Sequence, residues 1–439
     1  MDSEAREQRN VSLVSHHDLD RKPAFKIAID KFGSDWFLYL ANLWEPGWAI
    51  LNVTDPANPT IERRIEGPPN SYTKQIQVAD GLMITGYERP LNGVGPVDGP
   101  YYDPSEPHET GADIWDVSAD PTNPERLSHY ETGGHGTHRN YYAGGDYAYM
   151  CACPDGYTPD EFDGPNPKKN FLPVVVDVSD PANPVEVTRW TLPGQDPDDD
   201  VEPEATYFHG PAYVRGDRAY LSYGRGGCVI LDVEDPTDPE LVTRLNPGEG
   251  FGGFIGVHSF IPVPGTDLAV ANTETNSEAP PGEPGGHPVS YTLLIDVSDE
   301  RDPGYKGTDW QGPSVVSSMP FPQPEADAPY DSYYEKIGRF GMHNQHHPRG
   351  ESTRLQSSEY IFMTYFNAGL RVFDISDPLV PTEAGYFVPT DPDVRTANSR
   401  PTTYEGLGSH LEDVLVDSRG YIYCTDPQQG LFILETDLL

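Results

Sequence analysis

The stretch Val174-Val-Val-Asp-Val-Ser-Asp-Pro-Ala-Asn-Pro184 decides the fold. It is a short β-branched run, which favours a strand, stopped by Asp-Pro and a second Pro. Asp caps a bend and Pro presets φ, so the run ends in a turn. The phrase recurs as Trp48-Ala-Ile-Leu-Asn-Val-Thr-Asp-Pro56, Asp113-Ile-Trp-Asp-Val-Ser-Ala-Asp-Pro121 and Val229-Ile-Leu-Asp-Val-Glu-Asp-Pro236. It returns as Leu293-Leu-Ile-Asp-Val-Ser-Asp299 and Arg371-Val-Phe-Asp-Ile-Ser-Asp-Pro378, and is truncated in Leu431-Phe-Ile-Leu-Glu435. The anchors Asn52, Asp116, Asp177, Asp232, Asp296, Asp374 and Glu435 lie 64, 61, 55, 64, 78 and 61 residues apart. One such unit cannot bury its own apolar face, so the units must stack or close into a ring.

The fourth unit reads most plainly. His209–Val214 is a strand, Arg215-Gly-Asp217 a tight turn, and Arg218–Tyr223 its hairpin partner. Gly227–Val233 is a third strand and Glu240–Arg244 an outer one. That is a four-stranded antiparallel meander, the blade of a β-propeller. The seventh copy stops after its third strand, and Val11-Ser-Leu-Val-Ser-His-His17 resembles the outer strand Arg126–Tyr130. The expectation is an all-β fold over residues 1–439, a single seven-bladed propeller in which residues 10–17 complete the blade formed by 410–435. Such a latch removes two open sheet edges.

The phrase at 175–184 resembles the LVIVD-repeat family. The resemblance covers nearly the whole chain and implies a propeller. Most members carry no assigned reaction, so it speaks to fold far more than to function.

Composition narrows the partners. Against 70 Asp+Glu stand 29 Lys+Arg, eight of them Lys, a formal net charge of -41. That surface repels nucleic acid and anionic membranes. The acid sits in turns and the strands are apolar, so a folded, strongly hydrated shell is expected. The pattern resembles halophilic proteins of salt-in haloarchaea. The polar start Met1–Asn10 has no apolar leader and no stretch matches a membrane span, so the expected location is cytoplasmic. Cys151, Cys153, Cys228 and Cys424 are too few for a disulfide framework and are expected as buried thiols.

The first strand of each blade lines a propeller's channel. The loops that share the face where these strands begin are enlarged: 87–111, 154–170, 193–207, 246–256, 274–289, 307–341 and 388–409. The opposite turns are short, such as Asp80-Gly81 and Gly216-Asp217, with an exception at Pro348–Ser358. Long loops on one face of a rigid scaffold are where binding resides. Onto that face the spacing places His138, His209, His258, His343 and His410, each at the start of an inner strand in units three to seven. Imidazoles converging on one point suit Zn, Cu, Fe or Ni. Five are too many for one tetrahedral ion. His135 and His346 are spare candidates, and Glu204, Glu412 and Asp413 are nearby carboxylates.

Several signals are discounted. Asp196–Glu204 lacks the Gly and spacing of a calcium loop. The Gly-rich runs 224–227 and 250–256 lack a phosphate-loop context, and no Gly-x-Ser-x-Gly elbow surrounds Ser259. The leading expectation is a binding protein with a His-lined, metal-occupied channel mouth for a small-molecule or protein ligand. A metal-dependent oxidase or hydrolase is the second, with Glu204 or Glu412 as base. This chain is loosely similar to selenium-binding-protein-type methanethiol oxidases with their copper site, but lacks their Cys-rich segment. A metal-free interaction platform is the third.

Overall fold

The computed structural model describes residues 5–90, 102–103, 105–157, 170–201, 208–246, 255–275, 279–284, 286–287, 289–393 and 407–439. Each repeat phrase is a central strand of an antiparallel sheet, and in six of them the Asp or Asn works the same way. The side-chain oxygens of Asn52, Asp116, Asp177, Asp232, Asp296 and Asp374 accept the backbone N–H two residues on, at 2.7 to 2.9 Å. The recurrent turn is therefore an Asx turn, which releases the chain from the ladder just where the outer strand must begin.

Five sheets stand separately with four strands each. One is Ala24–Phe32, Asp35–Asn42, Gly47–Asn52 and Thr60–Glu66. The unit at 212–245 forms a second, and the strands from Gly256–Pro262 to Ser314–Ser318 a third. Tyr360–Thr364, Leu370–Asp374 and Thr382–Pro389 are joined by the N-terminal strand Ala5–Arg9. Asp413–Val416, Ile422–Asp426 and Gly430–Thr436 are joined by Val11–His17, which pairs antiparallel with the last of them. The fold is a β-propeller of four-stranded antiparallel blades.

The expectation of seven separate blades needs correction. The five blades above stand alone, whereas the second and third units, 72–130 and 136–189, share one eight-stranded sheet. The join is a bridge from Gly136 to Glu88. Gly136 has φ +79°, and a Cβ there would lie 2.2 Å from the Tyr87 carbonyl oxygen. Only glycine lets the two units approach so closely. The N-terminus also does more than the sequence suggests, because Ala5–Arg9 extends a further sheet beside Thr382–Pro389.

Neighbouring units are tied by a recurring bond. The hydroxyls of Ser128 and Ser317 in outer strands donate to the carbonyls of Pro181 and Pro378 in the next repeat's turn, at 2.6 and 2.7 Å. Ser15 makes the same bond to Pro56 at 2.6 Å, across the junction between the last repeat and the first. Between the sheets lie apolar clusters such as Leu38, Leu40, Leu51, Leu415 and Ile433, all buried. Cys151, Cys153, Cys228 and Cys424 are free thiols and buried.

The 348–358 insertion does not hang in solvent. Arg349 reaches the Tyr142 carbonyl at 2.8 Å, and its backbone N–H donates to the Tyr213 hydroxyl. Arg354 bridges Asp417, and Leu355 N–H donates to the Val416 carbonyl at 3.0 Å. One segment thus links the third and fourth units to the last.

Candidate functional site

Each candidate histidine is set where an inner strand begins. His138 N–H donates to the Cys151 carbonyl, His209 to Ser222 and His343 to Thr364, at 2.7 to 2.9 Å. His258 lies within Gly256–Pro262, and His410 N–H donates to Asp426 Oδ2 at 2.6 Å. Four rings follow one another around the channel. Their centroids are 4.8 Å apart from His138 to His209, 4.5 Å from His209 to His258 and 5.0 Å from His258 to His343. His410 stands apart from this arc. Phe366 is stacked between it and His343, at 4.6 and 4.8 Å.

Carboxylates thread the arc. Glu88 Oε2 is 2.7 Å from His138 Nδ1 and 3.1 Å from Lys74 Nζ. Glu274 Oε2 is 3.3 Å from His258 Nε2, and its Oε1 is 3.9 Å from His343 Nε2. Glu412 lies 3.0 Å from His343 Nδ1 and 2.9 Å from His410 Nδ1. Among the described residues His209, His258 and Glu274 can each offer one ligand atom, all within 4.8 Å of one another, and all three are buried.

Two guanidiniums flank the arc. Arg139 is buried; its Nη1 donates to the carbonyls of Gly210 (2.7 Å) and His258, and its Nη2 donates to Ser259 Oγ and Asn344 Oδ1 at 3.0 Å. The same Nη1 is 3.3 Å from His209 Nδ1 and 3.4 Å from His258 Nδ1. Arg339 lies 3.4 Å from Glu274 and 3.6 Å from Glu412, with its guanidinium 4.1 Å above Phe366.

Burial, with Arg139 and the neighbouring rings, holds His258 well below the usual imidazole range. Burial likewise pushes His410 down to about 4, although Glu412 opposes it. Both rings are therefore neutral near pH 7, the form that offers a lone pair. Burial alone would raise Glu412, but His410 and His343 beside it hold it low, as a carboxylate. Asp426 goes the other way: burial raises it to about 7.

The spare candidates are placed elsewhere. His346 is locked by two backbone bonds, Nε2 to the Leu355 carbonyl at 3.0 Å and Val416 N–H to Nδ1 at 3.1 Å. His135 is buried beside Phe171, with centroids 6.4 Å apart. Asp413 is spent on Lys26 Nζ and Ile27 N–H, at 2.9 and 3.0 Å. Glu204 lies outside the described residues, as does much of the enlarged-loop set. Glu88, Glu274, Arg139 and Arg339 escaped sequence reasoning. A signal existed for the two acids: Leu82–Glu88, Leu268–Glu274 and Ile422–Asp426 are each a second strand ending in a carboxylate. That position faces the start of the inner strand.

The LVIVD repeat family matches at residues 169–191, 213–246 and 356–388. The chain carries LVIVD repeats. Those segments hold the third and outer strands of three units, where the Asx turns lie. No curated protein matches the sequence. Among solved structures the chain is similar to U3-55K, with 8% identity, TM-score 0.51 and coverage of 97% of this chain and 98% of that one. The RRP9 WD40 repeats are similar at 8% identity and TM-score 0.51, covering 99% and 100%. A propeller domain of Cps50 (Swd1) from Myceliophteria thermophila gives 11% identity and TM-score 0.49, covering 94% and 97%. At such identities the likeness to U3-55K and to the RRP9 repeats bears on fold alone. No helix among the described residues is long and apolar enough to cross a membrane.

Proposed function

We propose that the LVIVD-repeat ring is a binding protein whose channel mouth holds one divalent transition-metal ion on His209, His258 and Glu274. The eight-stranded sheet counts as two units in this reading, giving seven around the ring. The observation that carries it is the convergence of three buried ligand atoms within 4.8 Å of one another. A His₂Glu set with a position left open is the donor chemistry of Zn and related ions, and an open position admits a small-molecule ligand. His138, oriented by Glu88, stands next in the arc as a fourth donor. His343 and His410, tied by Glu412, flank the site.

Arg139 sets the terms of uptake. A ring that accepts its N–H at Nδ1 carries its own proton on Nε2. For an ion at Nε2 that proton must move to Nδ1, against the Arg139 N–H, or the ring must turn; the ring is already neutral, so uptake costs the Arg139 contact and not a proton. The guanidinium also favours a second reading, a metal-free pocket in which Arg139 and Arg339 select an anionic ligand. The enzymatic reading would use the open metal position, with Glu412 as base.

Metal content by mass spectrometry, on untagged protein purified without chelator, separates these readings. About one transition-metal ion per chain is expected, lost in His209→Ala/His258→Ala with the melting transition retained. Metal-free, folded wild-type protein would overturn the metal site and leave the anionic pocket. Turnover by the metal-loaded protein in a screen of small substrates would single out the enzyme.

A further inference from the structure

Five of the repeats leave their third strand through Asp-Pro, two residues and Pro, and one of these turns is chemically unlike the others. The two residues are Ala57-Asn58, Thr122-Asn123, Ala182-Asn183 and Thr237-Asp238 in the first four repeats, but Leu379-Val380 in the sixth. The backbone is unchanged. Leu379 N–H donates to Asp377 Oδ1 at 3.1 Å and Val380 N–H to the Asp377 carbonyl at 3.0 Å, as Ala57 and Asn58 do at Asp55, both at 3.1 Å. What is given up is a side-chain bond. Asn58 Nδ2 and Asn183 Nδ2 donate to Asp55 Oδ2 and Asp180 Oδ2 at 2.8 and 2.9 Å, which Val380 cannot do. Leu379 and Val380 are instead 71% and 63% exposed. Losing a bond and adding exposed apolar area gains nothing for the fold.

The fifth repeat, next in the ring, departs at the same place. Its turn, Asp299-Glu-Arg-Asp-Pro303, runs into an extra hairpin of Gly304–Lys306 and Asp309–Gln311, whose strands pair only with each other. Tyr305 and Trp310 stand opposite one another on it, ring centroids 5.3 Å apart, and are 72% and 44% exposed. A two-stranded hairpin by itself is marginal in water and keeps two open edges. Exposed Val315 follows on the outer strand, and two residues further the Ser317 hydroxyl donates to the Pro378 carbonyl at 2.7 Å, next to Leu379. The two departures therefore meet at one junction. Tyr305, Leu379 and Val380 are the three most exposed large apolar side chains among the described residues. Inner strands begin at the histidines and each strand reverses the last, so third strands end on the opposite side of the ring. This surface is thus separate from the histidine mouth and does not rest on the metal reading.

Charge indicates what covers it. Residues 303–324 carry one Lys and one Asp, and 378–382 carry no charge, in a chain of formal net charge -41. Two copies of this chain repel one another over most of their surface, and a neutral apolar area is where they can touch. A basic partner would be drawn to the acid and would gain nothing from a neutral surface. The hairpin also suits its own copy. Its exposed charges, Lys306 and Asp309, are paired in register and opposite in sign, so two hairpins meet without like-charge repulsion. A two-fold axis along the hairpin stacks it face to face on its copy, with Tyr305 of each against Trp310 of the other.

We propose that Tyr305, Trp310, Val315, Leu379 and Val380 join two copies of this chain about a two-fold axis. The dimer leaves both histidine mouths uncovered.

Sedimentation velocity on the full chain tests this. In high salt, where repulsion between two chains of net charge -41 is screened, wild-type protein should sediment as a dimer and dissociate on dilution. Leu379→Ala/Val380→Asn writes in the turn of the first and third repeats, so its melting transition should be unchanged or higher. Its association should nonetheless weaken by about 10-fold or more, and Trp310→Ser should act alike. Val185→Ser, which removes an exposed apolar side chain from the third repeat, should leave the dimer intact. Monomer at every salt and protein concentration overturns the proposal. A dimer that survives both Trp310→Ser and the turn variant overturns it too, because its contact then lies elsewhere.

Discussion

At the scale of single residues, the buried histidines govern the response to acid. His346 uses both ring nitrogens on the backbone of the 348–358 insertion and the last repeat, and burial pushes it down to about 3 from an ordinary 6.5. A depressed imidazole means the folded state binds fewer protons than the unfolded chain. The stability it contributes is therefore full above 6.5 and is lost as pH falls from 6.5 toward 3. His410, held down to about 4, adds to the same limb. Asp426 acts oppositely: its raised value favours the folded state at low pH, and that share is lost as pH rises through about 7. Urea midpoints should thus fall between neutrality and pH 4. His346→Leu should flatten that limb and cost about 2–4 kcal/mol at pH 7.5, because Leu355 C=O and Val416 N–H lose their partner.

At the scale of strands and turns, contacts between units carry information that the repeat phrase does not. Gly136 allows the second and third units to share a sheet, and Gly136→Ala would drive a Cβ into the Tyr87 carbonyl. A cost of about 2–4 kcal/mol is expected by chemical denaturation, together with a shift of His138, two residues on. The seryl locks are milder. Ser15→Ala should cost about 1 kcal/mol, matching Ser128→Ala, since both hydroxyls make the same bond to a turn carbonyl. Equal effects would show that the junction between the last and first repeats is built like any other.

The turns were legible from sequence because they are local: Asp or Asn, three or four residues and Pro suffice. The starts of the inner strands were legible for the same reason, and four of the five histidines so placed do form a continuous arc. Of the carboxylates that thread it, Glu412 was named from sequence; Glu88 and Glu274 were not, because each lies on a partner strand and only the recurrence of a carboxylate at the end of the second strand hinted at them. Nor could sequence tell that Phe366 would part His410 from the rest.

For the molecule as a whole, the N-terminal segment is the closure. Residues 5–17 add a strand to each of two sheets, beside Thr382–Pro389 and Gly430–Thr436. Glu7 is buried and takes Tyr333 Oη at 2.8 Å, Glu325 N–H at 3.0 Å and the Tyr330 hydroxyl. Those residues belong to the segment that delivers Arg339 to Glu274 and Glu412. Deleting residues 1–18 should therefore lower the melting temperature of the whole ring by roughly 10 °C or more. An unchanged transition in calorimetry would refute that role. A milder probe is Glu7→Gln, which should leave the ring closed while loosening the Tyr330–Arg339 segment, read as faster amide exchange there.

The sequence by itself determined the unit. Apolar runs, Asx turns and Pro spacing fix a strand and its exit within a few residues, and the repeated copies must stack or close into a ring to bury their faces. Tertiary structure decided what lies between units: the fused sheet at Gly136, the double N-terminal closure, the 348–358 insertion laid across three units and the carboxylates facing the histidines. Each joins residues tens to hundreds of positions apart, and no local pattern encodes a partner brought near only when the ring closes.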